Sequence, residues 1–313
     1  IDFSESKPVY DFIARVENLN LTALNFGRND SLSGLSGIID MNVSGSNIDN
    51  MLGRLNLTGF TYYEGDKEIA LKSLSLKLEE KDSVNKRIEL RSDLVNGTID
   101  GRFVLSEVDQ AFRQYLSNYI PSFYGADSTS KKSADQTFSF DFALKDVQPV
   151  LDIFAPGIEI SKSSIARGNF DLAEKYFRAE IASNYLRSGK INVVNPMVMA
   201  ETFNYNIYLT AQCDNITYND SLEIGNVVAN TVTLKDNTSF TLNWSNQKSK
   251  KAYSGDISGN LVFAKGQPLR IDFGESDMMI NDSLIHIARD GRIDVDTTGI
   301  RIRDFIMLTG VQK

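Results

Sequence analysis

The chain has one histidine and one cysteine, and chemistry has to begin with them. His286 stands between Ile285 and Ile287, and Cys213 closes an apolar alternation after Ala211. A catalytic or metal-binding histidine needs a second ligand, a nucleophile or a base held close to it. The sequence offers no second histidine and no cysteine nearby, so a structural role is predicted for His286 and a buried, inert thiol for Cys213. Asp294 with Asp296, and Asp277 with Asp282, could offer oxygens to calcium, but the EF-hand spacing is not met. Alternating aspartates on the outer face of a strand are the simpler reading. With 41 acidic residues, a carboxylate pair suited to glycoside hydrolysis is inevitable and carries no information. Asn-x-Ser/Thr recurs at Asn20, Asn42, Asn56, Asn96, Asn215 and Asn281, where glycans would attach in a secreted eukaryotic protein. The same residues crowd turns for local hydrogen-bonding reasons, which accounts for them. No triad, metal set or phosphate loop appears, so no enzyme, cofactor or metal is predicted.

The functional candidates are therefore apolar faces. Phe138, Phe140 and Phe142 share one side of a strand, as do Tyr205, Ile207 and Leu209, and Phe240, Leu242 and Trp244. They could line a groove for acyl chains, or pack against a second sheet in a sandwich. A sandwich core is close-packed and dry, whereas a groove leaves apolar area for a ligand to cover.

Strands must position these residues. A phrase of glycine, cation and apolar-polar-apolar alternation occurs as Gly53-Arg54-Leu55-Asn56-Leu57, Gly189-Lys190-Ile191-Asn192-Val193 and Gly291-Arg292-Ile293-Asp294-Val295. Each reads as a half-buried strand entered from a tight turn. Turn formers such as Glu64-Gly65-Asp66 and Lys235-Asp236-Asn237 separate the runs. Parity changes between Ile69, Leu71 and Leu74, Leu76, Leu78, which predicts a β-bulge at Lys72-Ser73. Helix is predicted only over Asp109 to Tyr119, and as a turn over Val150 to Phe154 opened by Pro149.

Longer similarities keep the same order. Tyr10-Asp11-Phe12 with Val16 to Leu19 matches Phe138-Ser139-Phe140 with Leu144 to Val147, and Phe26 matches Phe154. Gly37 to Met41 matches Gly168 to Leu172, and Gly53 matches Gly189. Two similar halves are predicted, 1–124 and 137–313, joined by a polar linker at 125–136, with the second continuous with the first. A chain of this length holds on the order of 20 strands, too many for one flat twisted sheet. The predicted fold is all-β: an elongated, curled, trough-like sheet of repeated strands with an apolar interior and one or two short helices.

Bulk properties narrow the partners. The net charge of -8 argues against nucleic acid. No stretch approaches the roughly 20 apolar residues of a membrane helix. Residue 1 is Ile, and the chain is expected to be a piece of a longer protein whose anchor lies elsewhere.

The run from Val16 to Leu78 resembles the TamB-type and AsmA-like envelope proteins of bacteria. The resemblance rests on Asn18-Leu19-Asn20-Leu21, the Ser33-Gly34-Leu35-Ser36-Gly37 turn and the Gly-Arg-Leu-Asn-Leu strand, with Asp282 to Val311 like a late part of that family. It extends over most of the chain as a rhythm of strands and turns. It implies a periplasmic, groove-shaped β-taco sheet, anchored in the inner membrane by segments missing here. It also implies phospholipid transport between inner and outer membranes, support of outer-membrane biogenesis, and a TamA-like outer-membrane barrel partner. Two rivals stand beside a lipid-holding groove: an assembly scaffold whose sheet edge templates client strands, and a secreted β-sandwich binding module.

Overall fold

The computed structural model describes residues 7–24, 33–125, 133–219, 222–246, 253–289 and 291–310. Strands take 64% of the chain and helices 8%, and the strands form one antiparallel sheet that is not closed. In chain order they are β1 (Val9–Asn20), β2 (Ser33–Ser44), β3 (Leu52–Glu64), β4 (Lys67–Glu80), β5 (Lys86–Ser92), β6 (Val95–Arg102), β7 (Thr137–Leu144), β8 (Ile158–Ile160), β9 (Ile165–Asp171), β10 (Tyr176–Ala182), β11 (Tyr185–Ser188) and β12 (Ile191–Val194). There follow β13 (Met197–Phe203), β14 (Asn206–Tyr218), β15 (Leu222–Leu234), β16 (Asn237–Ser245), β17 (Ser254–Val262), β18 (Leu269–Phe273), β19 (Ser276–Ile280), β20 (Ser283–Ile287), β21 (Arg292–Asp296), β22 (Gly299–Arg303) and β23 (Met307–Gly310). The helices are α1 (Val108–Leu116), α2 (Pro121–Tyr124) and α3 (Gln148–Phe154).

Two compact units interleave along the sequence. The first takes residues 1–108, 134–169 and 186–189, and the second 109–133, 170–185 and 190–313. The predicted linker at 125–136 thus falls on both sides of a division. Residues 126–132, and the predicted match at Phe26, lie outside the described residues.

The first unit is a meander in which β1 to β7 pair each with the next. Register explains its faces. Phe12, Met41, Leu55, Leu76, Leu90, Gly97 and Phe142 are consecutive cross-strand partners, one from each of the seven strands. The adjacent row of the other face reads Asp11, Asn42, Arg54, Lys77, Glu89, Thr98 and Asp141. Period-2 alternation, in register along these two rows, therefore makes one face apolar and the other polar there.

Register also accommodates irregularities. The β2–β3 pairing shifts between Ser36 and Ile38, opposite Gly59 at φ +54, the left-handed glycine of a bulge. Beside it, the N–H groups of Lys72 and Ser73 both donate to Asp93 Oδ2. The bulge predicted at Lys72-Ser73 is not found in the β3–β4 pairing, where Thr58–Ser73 and Phe60–Leu71 share one register; the shift lies in β2–β3, at Gly59 on the neighbouring strand.

In the second unit β10 pairs with β13, and β14 pairs along its length first with β13 and then with β12. The order continues through β15, β16 and β17. There β17 divides its length between β19 and β18, which lead to β20 and β23, and to β21 and β22. The turns Asn204-Tyr205, Lys235-Asp236 and Asn281-Asp282 each carry two positive φ angles, the conformation whose twist suits a two-residue hairpin. Helix α1 packs an aromatic cluster: Phe112 stacks on Phe170 at 4.8 Å, and Tyr115 lies edge-on to Phe170 at 5.7 Å.

Each copy of the glycine-cation phrase lies at a strand start, in β3, β12 and β21. The third inverts the expected burial. Asp294 is 4% exposed, held by Arg292 and Arg303, while Ile293 and Val295 are half-buried.

Candidate functional site

All the sequence candidates but Tyr205 fall on one face in each unit. In the first unit Phe138, Phe140 and Phe142 share the apolar side of β7, facing Gly101, Ile99 and Gly97 of β6. Phe138 is buried and lies edge-on to Phe103 at 6.1 Å. Phe142 covers Gly97: a Cβ there would meet the ring at 2.0 Å.

In the second unit, partners on adjacent strands put Ile207, Leu209, Phe240, Leu242 and Trp244 on one face. Ile207 connects through Thr233 to Thr238, Leu209 through Thr231 to Phe240, and Ala211 through Ala229 to Leu242. Phe240 and Trp244 then lie across from Gly259 and Gly255 of β17. Glycine on the neighbouring strand lets each ring lie down on the sheet.

Tyr205 departs from the sequence reading. Its φ of +59 puts it in the β13–β14 turn, where it is 81% exposed and not on the strand face with Ile207 and Leu209. Alternation suggested a strand start, but two left-handed residues are needed to reverse the chain within two positions.

The sequence candidates left out further residues of the same face. Phe12, Met41, Leu55, Leu57, Leu74, Leu76 and Leu90 extend the apolar face of the first unit, and all are half-buried. The signal was present in the i, i+2 leucines of β3 and β4. One end of this face is closed by Ile48, Met51, Phe103 and Leu105, which line a narrow cleft with Leu78 and Ile88. The other is covered by α3, where Phe154 stacks on Tyr62 at 6.5 Å near the buried Ile69 and Leu71.

In the second unit α1 and α2 cover one end of the face. The Tyr115 hydroxyl hydrogen-bonds Thr202 Oγ1, which also accepts the Phe177 N–H at 3.2 Å. Ser122 donates through its N–H and hydroxyl to Asp236 at 2.7 and 2.9 Å. Burial holds the Tyr115 and Tyr119 hydroxyls above their ordinary pKa, so both stay protonated. Thr233 and Thr238, buried beneath, satisfy each other at 2.8 Å.

His286 Nδ1 lies 2.8 Å from Asp277 Oδ1, its cross-strand partner, and Nε2 lies 3.8 Å from Glu275. Burial raises the Cys213 thiol pKa, which disfavours the reactive thiolate. Among the described residues no group of three or more His, Cys, Asp or Glu could hold a metal ion, and no helix is long and apolar enough to cross a membrane. No family model, no curated protein and no solved structure matches the chain.

Proposed function

We propose that this chain holds lipid acyl chains against its apolar sheet faces, as a non-enzymatic segment of a TamB/AsmA-like intermembrane bridge. The observation that carries the reading is the unbroken row from Phe12 to Phe142, whose apolar members remain half-buried except at Gly97. Apolar area of that continuity is costly to leave in water and marks a ligand or partner surface. Each methylene moved from a bilayer would be compensated by about 0.8 kcal/mol of burial on the face. The reading has the sheet curl around that face as a trough. It puts the protein in the periplasm and lets phospholipid pass between inner and outer membranes, with a TamA-like barrel as protein partner.

Native mass spectrometry with lipid extraction tests this on protein purified without detergent. Co-purified phospholipid that is lost in Leu76→Asp and Leu209→Asp, with circular dichroism unchanged, supports the reading. A lipid-free mass from folded wild-type protein overturns it.

One observation favours the scaffold reading beside it. All five residues of β22 are exposed, with Ile300 and Ile302 at 68% and 63%. An extended client strand could add to that edge through its main chain. Proline at Ile302, which is not a hydrogen-bonded partner of Ile293 and turns its N–H away from β21, would abolish client capture in that case and leave lipid content unchanged.

A further inference from the structure

The polar face of the first unit gathers cations in a way its own carboxylates do not resolve. Arg54, Lys77 and Arg91 come from the adjacent strands β3, β4 and β5 and line one open depression of about 310 Å³ with Ser75 and Glu89. Arg54 and Lys77 are directly opposed, and Arg91 faces Ser75 one register step away. Like charges directly opposed across a strand pair are destabilising. Lys77 is relieved by Glu79 at 2.5 Å, and Arg91 by Glu89, to which its Nε donates at 2.6 Å. Among the described residues Arg54 has no such carboxylate. The cations also stand in a chain of net charge -8, which repels anions at long range, so attraction has to be local.

We propose that this depression is a binding site for a phosphate group, with Arg54 and Arg91 as forked donors and Lys77 as a point charge; the Ser75 hydroxyl donates to Asn56 Oδ1 at 2.8 Å and only lines the rim. A guanidinium matches two phosphate oxygens at once. Arg54 has all its donors available, and Arg91 commits only one edge to Glu89. A tetrahedral dianion or a phosphodiester would neutralise the opposed Arg54 and Lys77, removing the repulsion that the unliganded face carries. The site lies on the face opposite the apolar row and does not depend on acyl chains binding there. The phosphate could be a free ion or belong to a lipid headgroup.

The test is titration of the full chain, followed by NMR and by thermal shift at low salt, with inorganic phosphate in one arm and glycerophosphoglycerol, a soluble phosphodiester headgroup, in the other. Saturable shifts at Arg54 and Arg91, weakened at least tenfold in the Arg54→Gln/Arg91→Gln double variant and unchanged in Arg15→Gln, support the site. Preference for inorganic phosphate assigns a free or monoester phosphate, and preference for the diester assigns a lipid headgroup. Absence of saturable binding in both arms overturns the proposal. So does equal weakening by Arg15→Gln, which would mean diffuse attraction to surface cations.

Discussion

Trp244 and Gly255 stand directly opposite each other on β16 and β17, and the indole fills the space where a side chain at 255 would begin. A Cβ there would lie 2.1 Å from Cη2 of the ring. The backbone of Gly255 is not left-handed, so this glycine is required for close approach rather than for conformation. The same device recurs at Gly97 under Phe142 and at Gly259 under Phe240. Rings laid flat in this way turn a π-face outward while covering the backbone of the next strand.

Gly255→Ala should therefore lift the indole and cost about 1–3 kcal/mol by overpacking. The protein has a single tryptophan, so urea unfolding followed by its emission reports directly on the site. A lowered midpoint with a red-shifted native spectrum is expected. A native spectrum and midpoint equal to wild type would show that the ring does not rest on residue 255.

Asp294 is a buried acid between two cations. Its Oδ1 accepts from Arg292 Nε at 2.9 Å, and its Oδ2 lies 3.5 Å from Arg303 Nε. Charge-assisted hydrogen bonds of this kind contribute about 1.5–3 kcal/mol. Asp294→Asn should lower stability by an amount in that range, measured by urea unfolding, because it keeps the shape and removes the charge. Loss of the same stability in Arg303→Gln, without additivity in the double variant, would identify the pair as one unit.

Much of the fold was legible because alternation at period 2 survives any tertiary context that buries one face. The strands carrying Phe138 to Phe142 and Phe240 to Trp244 are examples. The glycines beneath those aromatics were not legible, because Gly97, Gly255 and Gly259 become meaningful only once register fixes which strand faces which. Tyr205 was misplaced because a left-handed pair interrupts the chain without interrupting the alternation. The burial of Asp294 was hidden for a related reason: Arg292 lies two residues away on its own strand, but Arg303 meets it only when β21 pairs with β22. The leucines of β3 and β4 were readable, but aromatic content drew attention to other strands.

Asp49 ties the 45–51 loop to the 3₁₀ turn at Leu105–Glu107. Ser106 donates its hydroxyl at 2.6 Å and its N–H at 2.9 Å to the two carboxylate oxygens. Those hydrogen bonds lower the Asp49 pKa, the side-chain bond first. A carboxylate depressed in the folded state stabilises it at pH values above the unfolded pKa, about 3.9. That contribution disappears as pH falls from there through the folded value. Ser106→Ala should raise the Asp49 pKa in an NMR titration and flatten the acid limb of stability below about pH 4. An unmoved Asp49 titration would separate the two residues.

Tyr115 sets the corresponding behaviour at alkaline pH. Its hydroxyl is held far above its ordinary pKa, first by burial, while an unfolded tyrosine titrates near pH 10. Below that pH both states keep the proton and the stabilisation is complete. Above it the unfolded chain releases a proton that the folded chain retains, so stability falls as pH rises. Tyr119, whose pKa burial also raises, adds to the same slope. Tyr115→Phe keeps the ring against Phe170 and removes both the proton and the bond to Thr202, whose Oγ1 still accepts from Phe177. At neutral pH the variant should be about 1 kcal/mol less stable. Between about pH 10 and pH 12 its stability should fall less steeply than wild type, since only Tyr119 still titrates among the two. Urea unfolding across that range reads both effects. Parallel curves for the two proteins would mean that the Tyr115 hydroxyl already meets solvent, and that α1 does not close this end of the face.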